Sequence, residues 1–198
     1  MDTKIPDPKS VLRLRLREQM RKISGAQRAA ASAQVCSLLE KQKVWKSANS
    51  ILFFAPLPDE PDIWPLISRA LDFGKTVTLP RFLPETETYI ACRVLNPHVD
   101  VEIGKYGIRE PSAVCADVPL NQLDFILVPG VAFDLNGGRL GRGQGYYDRL
   151  LAEVRGMTCG VAFEQQIVGE VPAEPHDVRL NCILTPTRWA EPKQRDGL

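Results

Sequence analysis

Residues 125–149 read FILVPGVAFDLNGGRLGRGQGYYDR, and most of the predicted architecture follows from them. They begin with a short continuous apolar run, Phe125–Pro129, of the kind that forms a strand covered on both faces of a sheet. A long glycine-rich loop follows, and a helix is predicted from about Gln144 to Val154. A buried strand that leads through a loop into a helix is the repeating unit of an α/β protein.

The rest of the chain continues this alternation of strands and helices. The apolar run SILFFA at Ser50–Ala55 predicts another strand that is buried on both faces. Further strands are predicted at Thr76–Pro80, Tyr89–Leu95, Thr158–Phe163 and Ile183–Pro186. Helices are predicted from Asp7-Pro8 to a break at Ser24-Gly25, from about Ala26 to Lys43, and from Asp62 through Leu71. The expected fold class is α/β, with a mostly parallel sheet and helices on both faces in three layers.

Length and composition agree with one folded domain. The chain has 198 residues, of which 44% are hydrophobic and 25% are charged. That apolar share is enough for a core and argues against intrinsic disorder. We therefore expect a single domain over residues 1–198, with a polar tail from about residue 190.

The charge balance and the cysteine pattern exclude several classes of protein. Lys and Arg number 25 against 24 for Asp and Glu, whereas nucleic-acid binders usually carry a clear basic excess. No apolar stretch approaches the roughly 20 residues of a membrane span. The five cysteines are widely spaced, without a CxxC pair, which is typical of reduced thiols in a cytoplasmic protein and not of a zinc site. We expect neither a nucleic-acid nor a membrane partner.

The glycine-rich loop is a candidate anion-binding site. Five glycines lie between residues 137 and 145, interleaved with Arg139 and Arg142. Glycine lets backbone N–H groups approach phosphate oxygens, Arg supplies paired donors, and the following helix N-terminus favours an anion. The loop is not a Walker A motif, and Tyr146 stands where a Rossmann fingerprint needs a glycine. The alternative interpretation is a surface loop that only connects two elements.

The sequence RLGRGQGYYDR at 139–149, preceded by PGVAFD at 129–134, resembles the signature of the 5-formyltetrahydrofolate cyclo-ligase family. Three further blocks match in the same order: KSVLR at 9–13, LPDEPD at 57–62 and YGIREP at 106–111. The resemblance covers the chain from about residue 9 to residue 186. It implies a fold similar to that of sugar-phosphate isomerases and CoA-transferases.

The activity that the resemblance implies is closure of 5-formyltetrahydrofolate to 5,10-methenyltetrahydrofolate, with ATP as co-substrate and Mg²⁺ as cofactor. The expected partners are small molecules, a reduced folate and ATP, and the expected state is a monomer or weak homodimer in the cytoplasm. Two other functions stay open at this point. One is a non-catalytic folate-binding or regulatory relative, and the other is an isomerase- or CoA-transferase-like enzyme on the same scaffold.

By resemblance, the nucleotide is bound from the first helix and from the glycine-rich loop. The implied ATP-binding residues are Lys9, Arg13, Arg139, Leu140, Gly141, Arg142, Gly143, Gln144, Gly145, Tyr146 and Tyr147. Arg142 and Tyr147 are the implied catalytic residues among them. Without the resemblance, Lys9 and Arg13 would be interpreted as part of a solvated basic helix face.

The resemblance also implies folate and metal contacts. The implied substrate-binding residues are Ala55, Glu60, Tyr106 and Phe133, with Glu60 on the polar edge of the pterin. Asp148 and Asn181 are the implied magnesium ligands, although the family often has an acid at the position of Asn181. The alternatives are an exposed loop acid for Glu60, a charge favoured by the helix dipole for Asp148, and a turn residue for Asn181.

Overall fold

The computed structural model describes residues 7–104, 107–175 and 177–192. Within them the helices are α1 (Pro8–Arg21), α2 (Gly25–Glu40), α3 (Lys43–Ser47), α4 (Trp64–Asp72) and α5 (Tyr146–Glu153). The strands are β1 (Ser50–Leu52), β2 (Thr76–Leu83), β3 (Thr88–Arg93), β4 (Val101–Ile103), β5 (Arg109–Pro111), β6 (Asp117–Val118), β7 (Phe125–Val128), β8 (Ala132–Phe133), β9 (Arg139–Leu140), β10 (Met157–Val161), β11 (Cys182–Leu184) and β12 (Trp189–Ala190). None of these helices is long and apolar enough to cross a membrane.

Among the described residues, eight strands form one sheet in the order β12-β11-β10-β7-β1-β2-β3-β6. The strands from β11 to β2 pair in parallel, and the strands at both edges pair antiparallel. The prediction of a mostly parallel sheet is confirmed. From β1 the chain continues to β2 on one side and later returns to β7 on the other. The carboxyl ends of β1 and β7 therefore flank a crevice, the usual place for a ligand in such sheets.

The sheet is covered on both faces because its central strands are apolar at every position. Phe125 and Leu127 of β7 belong to a cluster on the face covered by α2, α3 and α4. Ile126 and Val128, which point the other way, belong to a cluster that includes residues of α5. The predicted three-layer arrangement is confirmed by this alternation.

Helix α1 is built as predicted from Asp7 and its apolar spacing. The carboxylate of Asp7 accepts hydrogen bonds from the backbone N–H groups of Lys9 and Ser10, which caps the helix. Leu12, Leu16 and Met20 are its buried residues. This burial fixes which way α1 presents its basic side chains.

The helix predicted from about Ala26 to Lys43 is α2, which ends earlier, at Glu40, and the separate short helix α3 begins at Lys43. The predicted break at Ser24-Gly25 is confirmed, because α1 ends at Arg21 and Ser24 caps the start of α2. The Ser24 hydroxyl accepts from the Gln27 backbone N–H, and the Gln27 side chain accepts from the Ser24 N–H. Such a reciprocal cap allows Gly25 to be the first helical residue.

Two further differences concern the strands. β2 runs beyond its predicted end at Pro80 because β3 pairs with it antiparallel as far as Leu83. The short strands β4, β5, β6, β8, β9 and β12 were not predicted. Each has only two or three residues, which is too short for a periodic pattern.

Candidate active site

A cavity of about 320 Å³ opens at the carboxyl ends of β1, β2 and β7. Phe54 and Ala55, which follow β1, line it together with Pro80 of β2 and with Pro129 and Gly130 after β7. Its volume is within the range of small-molecule sites. Ala55, an implied substrate contact, is therefore on the cavity wall.

The glycine-rich loop and the start of α5 form a second wall of this cavity. Gly141, Arg142, Gln144 and Gly145 line it, and α5 begins immediately afterwards. Gly145 stands before the helix with a φ of 67°, and no side chain caps the helix. The first N–H groups of α5 are thus available to an anionic ligand in the cavity.

Arg13 supports the glycine-rich loop from outside the cavity. Its Nε donates to the carbonyl oxygen of Gly141 at 2.9 Å. Its guanidinium carbon lies 3.6 Å from the place that a Cβ on Gly143 would take, and Gly143 has a φ of 103°. A side chain at position 143 would be strained by this backbone conformation, which accounts for glycine there. Gly143 itself is not part of the cavity wall.

Arg139 and Asp148 form an ion pair on the cavity wall. Arg139 Nη2 lies 2.5 Å from Asp148 Oδ1, and the Arg139 side chain is only 3% exposed. Its guanidinium also lies 5.7 Å from the centre of the Tyr147 ring, a cation–π contact. Arg139 Nε is buried without a hydrogen-bond partner among the described residues. A buried cation with an unused donor is suited to receive a phosphate oxygen.

Arg142 is held by two acids that follow β1. Its Nη2 lies 2.8 Å from Asp59 Oδ1 and 3.0 Å from Glu60 Oε1. Glu60 Oε2 accepts from the Leu57 backbone N–H at 3.0 Å. Burial raises the pKa of Glu60 from its ordinary value, against the opposing effects of the Leu57 N–H and of Arg142. Glu60 is thus a buried cavity acid, not the exposed loop acid of the alternative interpretation.

Aromatic rings form the apolar wall of the cavity. The ring of Tyr89 lies 5.5 Å from that of Tyr146 and 5.9 Å from that of Tyr147, between ring centres. All three line the cavity. Burial raises the pKa of Tyr147 well above its ordinary value, so its phenol stays protonated. Tyr89 was missed because nothing in the sequence shows which way a residue of β3 points.

This site can be set beside known proteins. The profile of the 5-formyltetrahydrofolate cyclo-ligase family matches residues 6–186. The chain belongs to this family. A 5-formyltetrahydrofolate cyclo-ligase from Mycolicibacterium smegmatis is 32% identical over 196 residues, which cover 92% of this chain and 96% of that relative. One from Escherichia coli is 29% identical over 177 residues, covering 87% and 97%.

Solved structures agree with the cyclo-ligase family. A 5,10-methenyltetrahydrofolate synthetase from Aquifex aeolicus superposes with a TM-score of 0.85 at 33% identity, over 96% of this chain and 95% of its own. A synthetase from Mycoplasma pneumoniae, at 21% identity, superposes with a TM-score of 0.73 over 91% and 99%. The second likeness bears on the fold alone.

Lys9, a nucleotide residue in the cyclo-ligase resemblance, does not line the cavity. Its Nζ lies 2.7 Å from Glu174 Oε2 and 2.7 Å from Asp177 Oδ2. Burial would lower the pKa of Lys9, but the hydrogen bonds to Asp177 and Glu174 outweigh it and raise the pKa. The two acids also line a smaller cavity of about 150 Å³, to which Arg139 contributes as well.

Two residues that the resemblance implies as ligand contacts have side chains buried in the core. Phe133 is fully buried and lies behind Gly130, where an added Cβ would be 2.7 Å from its ring. It supports the cavity wall and is not a substrate wall itself. The Leu140 side chain packs in the core with Leu12 and Leu16, so it does not face the cavity.

Asn181 is also corrected, because the structure does not bring it to Asp148. Its Oδ1 accepts from the Thr158 backbone N–H at 2.8 Å and from the Thr158 hydroxyl at 2.9 Å. Both residues lie where β10 and β11 begin, whereas Asp148 lines the cavity at the carboxyl ends of the strands. Asn181 therefore joins two strands and does not share an ion with Asp148.

The described residues contain no group of three or more His, Cys, Asp or Glu that could hold a metal ion. Asp148, the implied magnesium ligand that does line the cavity, has one oxygen engaged by Arg139. This donor set fits Mg²⁺ only when phosphate oxygens supply most of the ligands, which is how the ion is often bound.

Tyr106, an implied folate contact in the cyclo-ligase resemblance, lies outside the described residues. Its neighbours Ile108 and Glu110 line the cavity. Glu110 Oε2 accepts from the Phe82 backbone N–H at 3.1 Å. Ile108 and Glu110 of the YGIREP block therefore reach the cavity next to β2.

Proposed function

We propose that this chain catalyses the ATP-dependent cyclisation of 5-formyltetrahydrofolate to 5,10-methenyltetrahydrofolate, with release of ADP and phosphate. The observation that carries the proposal is the convergence of Arg139, Arg142 and the uncapped start of α5 on one cavity. Cations and free N–H groups are what phosphoryl transfer requires of a protein. Membership of the cyclo-ligase family supports the choice of substrate.

The proposed chemistry activates an oxygen that is a poor leaving group. The formyl oxygen attacks the γ-phosphorus of ATP, the bond to the bridging oxygen breaks, and ADP leaves. The neighbouring folate nitrogen then attacks the formyl carbon of the resulting imidate phosphate. The C–O bond breaks, inorganic phosphate departs, and that nitrogen loses its proton. The protein has to position the reactants, stabilise negative charge and exclude water.

Arg142 and Tyr147 are the proposed catalytic residues. Arg142 lies between two glycines with its side chain 37% exposed, so its guanidinium can leave the acids for the transferring phosphoryl group. A cation at that group is worth roughly a thousandfold in rate or more. The protonated phenol of Tyr147 donates a hydrogen bond to the formyl or phosphoryl oxygen. It does not act as a base, because its pKa is raised well above the ordinary value.

The other nucleotide contacts follow from the loop and from α1. Arg139 binds phosphate with its unused Nε, while its Nη2 donates to Asp148 and its Nη1 donates to the Pro129 carbonyl oxygen. Gly141, Gln144, Gly145 and the start of α5 offer backbone N–H groups. Arg13 acts by supporting the loop, and Lys9 reaches the phosphates after leaving its two acids.

The folate is proposed to lie against the aromatic wall. Glu60 accepts hydrogen bonds from the N–H edge of the pterin, and Ala55 leaves room beside β1. The rings of Tyr89, Tyr146 and Tyr147 supply flat apolar surface to the folate. Bound Mg²⁺ would neutralise charge on the phosphates of ATP, with Asp148 as its one protein carboxylate.

A turnover assay tests the proposed function. The protein is mixed with 5-formyltetrahydrofolate, ATP and Mg²⁺, and the absorbance of the conjugated methenyl product is followed together with ADP. We expect both to rise in equal amounts and only when all three components are present. A non-catalytic folate binder would bind the folate without forming ADP. An isomerase- or CoA-transferase-like enzyme would not consume ATP, and either result would contradict the proposal.

A further inference from the structure

Arg142 connects two segments of the cavity that would serve different ligands. It belongs to the glycine-rich loop, which is proposed to bind phosphate. Its partners Asp59 and Glu60 follow β1, where the folate is proposed to bind. The ion pair therefore crosses the cavity from the nucleotide side to the folate side.

Both oxygens of Glu60 are engaged in this state. Oε2 accepts from the Leu57 N–H, and Oε1 accepts from Arg142. The Glu60 side chain is only 5% exposed, so it has little access to water. If Arg142 leaves, a buried carboxylate loses its cation, which is costly unless other donors replace it. The N–H edge of a pterin supplies such donors.

We propose that the Arg142–Glu60 pair makes nucleotide and folate bind cooperatively. A phosphate that takes Arg142 leaves Glu60 without its cation, and a folate that occupies Glu60 removes this cost. In the other direction, a folate meets less competition at Glu60 Oε1 once a phosphate holds Arg142. The effect of each ligand on the other must be equal, because coupling between two binding sites is reciprocal.

This coupling presupposes the proposed function, because it assumes that both ligands bind in this cavity. The first experiment measures the Kd of 5-formyltetrahydrofolate by calorimetry, with and without a non-hydrolysable ATP analogue and Mg²⁺. We expect the analogue to tighten folate binding about 5- to 50-fold, within the usual range of such coupling. Equal folate Kd values in the two conditions would overturn the proposal.

The second experiment measures binding of the ATP analogue alone to Glu60→Gln. Without the Glu60 carboxylate, Asp59 is the acid that still holds Arg142 and the guanidinium moves to the phosphates more easily, so we expect the Kd of the analogue to fall about two- to fivefold, as for a lost ion pair. Damage to the cavity would loosen binding instead. An unchanged or higher Kd in a variant whose far-ultraviolet circular dichroism is native would overturn the proposal.

Glu110→Gln is the matched control for that variant. Glu110 lines the same cavity, but its carboxylate accepts from the Phe82 N–H and has no ion pair with Arg142. If the loss of a negative charge alone strengthened binding, the Kd of the analogue would fall equally in both variants. This result would also overturn the proposal. We expect tightening in Glu60→Gln alone. The turnover assay on the unaltered protein decides the proposed function separately, since an active enzyme without ligand coupling would contradict only the coupling.

Discussion

Asp148 Oδ1 lies 2.5 Å from Arg139 Nη2, so the first turn of α5 holds a guanidinium that is almost completely buried. An acid in the first turn of a helix is also favoured by the helix dipole. Asp148 thus has a structural partner within the protein besides any ion that a nucleotide carries. The Asp148 carboxylate can therefore have three roles at once. It can interact with the helix dipole, form the ion pair with Arg139 and bind a metal ion.

Substitution of Asp148 is expected to lower the free energy of unfolding and to raise the magnesium concentration that activity requires. The variant Asp148→Ala tests the first effect, and Asp148→Asn tests the second. Removing the acid leaves Arg139 buried without its ion pair, which costs about 2 kcal/mol of the free energy of unfolding. In Asp148→Asn, the magnesium concentration for half-maximal rate at fixed ATP should rise several-fold. Urea denaturation and magnesium titration measure the two effects.

Asn181→Ala is the control for the magnesium effect. It removes hydrogen bonds to Thr158 and should cost about 1 kcal/mol of the free energy of unfolding. Its magnesium titration should superimpose on that of the unaltered protein. A shifted curve for Asn181→Ala, or an unshifted one for Asp148→Asn, would contradict this assignment.

Glu174→Gln is expected to strengthen the binding of ATP. Glu174 is one of two acids that hold Lys9, and its side chain is 56% exposed. Its removal leaves Asp177 as the remaining acid and makes it easier for Lys9 to reach a phosphate. We expect the KM for ATP to fall about twofold to fivefold, as for an exposed ion pair, with the KM for folate unchanged. A higher KM for ATP would show that Glu174 instead positions Lys9 for the nucleotide.

Gly156→Ala is expected to destabilise the fold at the start of β10. An added Cβ would lie 2.2 Å from the carbonyl oxygen of Leu123 and 2.5 Å from that of Asp124. These are backbone atoms that cannot move aside, so the loss should be about 1–3 kcal/mol. Gly169→Ala is the control, because no atom lies within 4 Å of its added Cβ. Equal midpoints of urea denaturation for the two variants would be incompatible with this packing.

Glu60 predicts a pH dependence of stability. Burial raises the pKa of Glu60, so the folded chain binds this proton more tightly than the unfolded chain does. As the pH rises from the ordinary pKa through the raised one, the unfolded chain ionises first and the free energy of unfolding falls.

Glu60→Gln lacks this titration, so its stability relative to the unaltered protein should increase across that pH range. Urea denaturation of both proteins between about pH 4 and about pH 7 measures the difference. A difference that stays constant with pH would mean that the folded chain does not raise the pKa of Glu60.

The parts of the fold that were predicted correctly are those that local sequence specifies. Phe125–Val128 is a continuous apolar run, and the glycines before α5 mark a loop that must adopt left-handed backbone, as Gly145 does. Strand, loop and helix follow from residues within a single stretch of about 25 positions. The same holds for Asp7, whose cap bonds lie within three residues.

The contacts that were not predicted depend on residues far apart in the chain. Lys9 and Glu174 are separated by 165 positions, and no local pattern indicates that they meet. Phe133 and Asn181 were assigned from family blocks, but which way each points depends on strand pairing. Pairing of β8 with β9 places Phe133 in the core, and pairing of β10 with β11 joins Asn181 to Thr158.

The most direct measurement follows the formyl oxygen during one turnover. 5-Formyltetrahydrofolate carrying ¹⁸O in its formyl group is incubated with the protein, ATP and Mg²⁺ in unlabelled water. The released inorganic phosphate is then examined by mass spectrometry. If the formyl oxygen takes the γ-phosphoryl group, each phosphate released contains one ¹⁸O atom and one ADP forms for each methenyl product. Unlabelled phosphate, or methenyl product formed without ADP, would contradict the account.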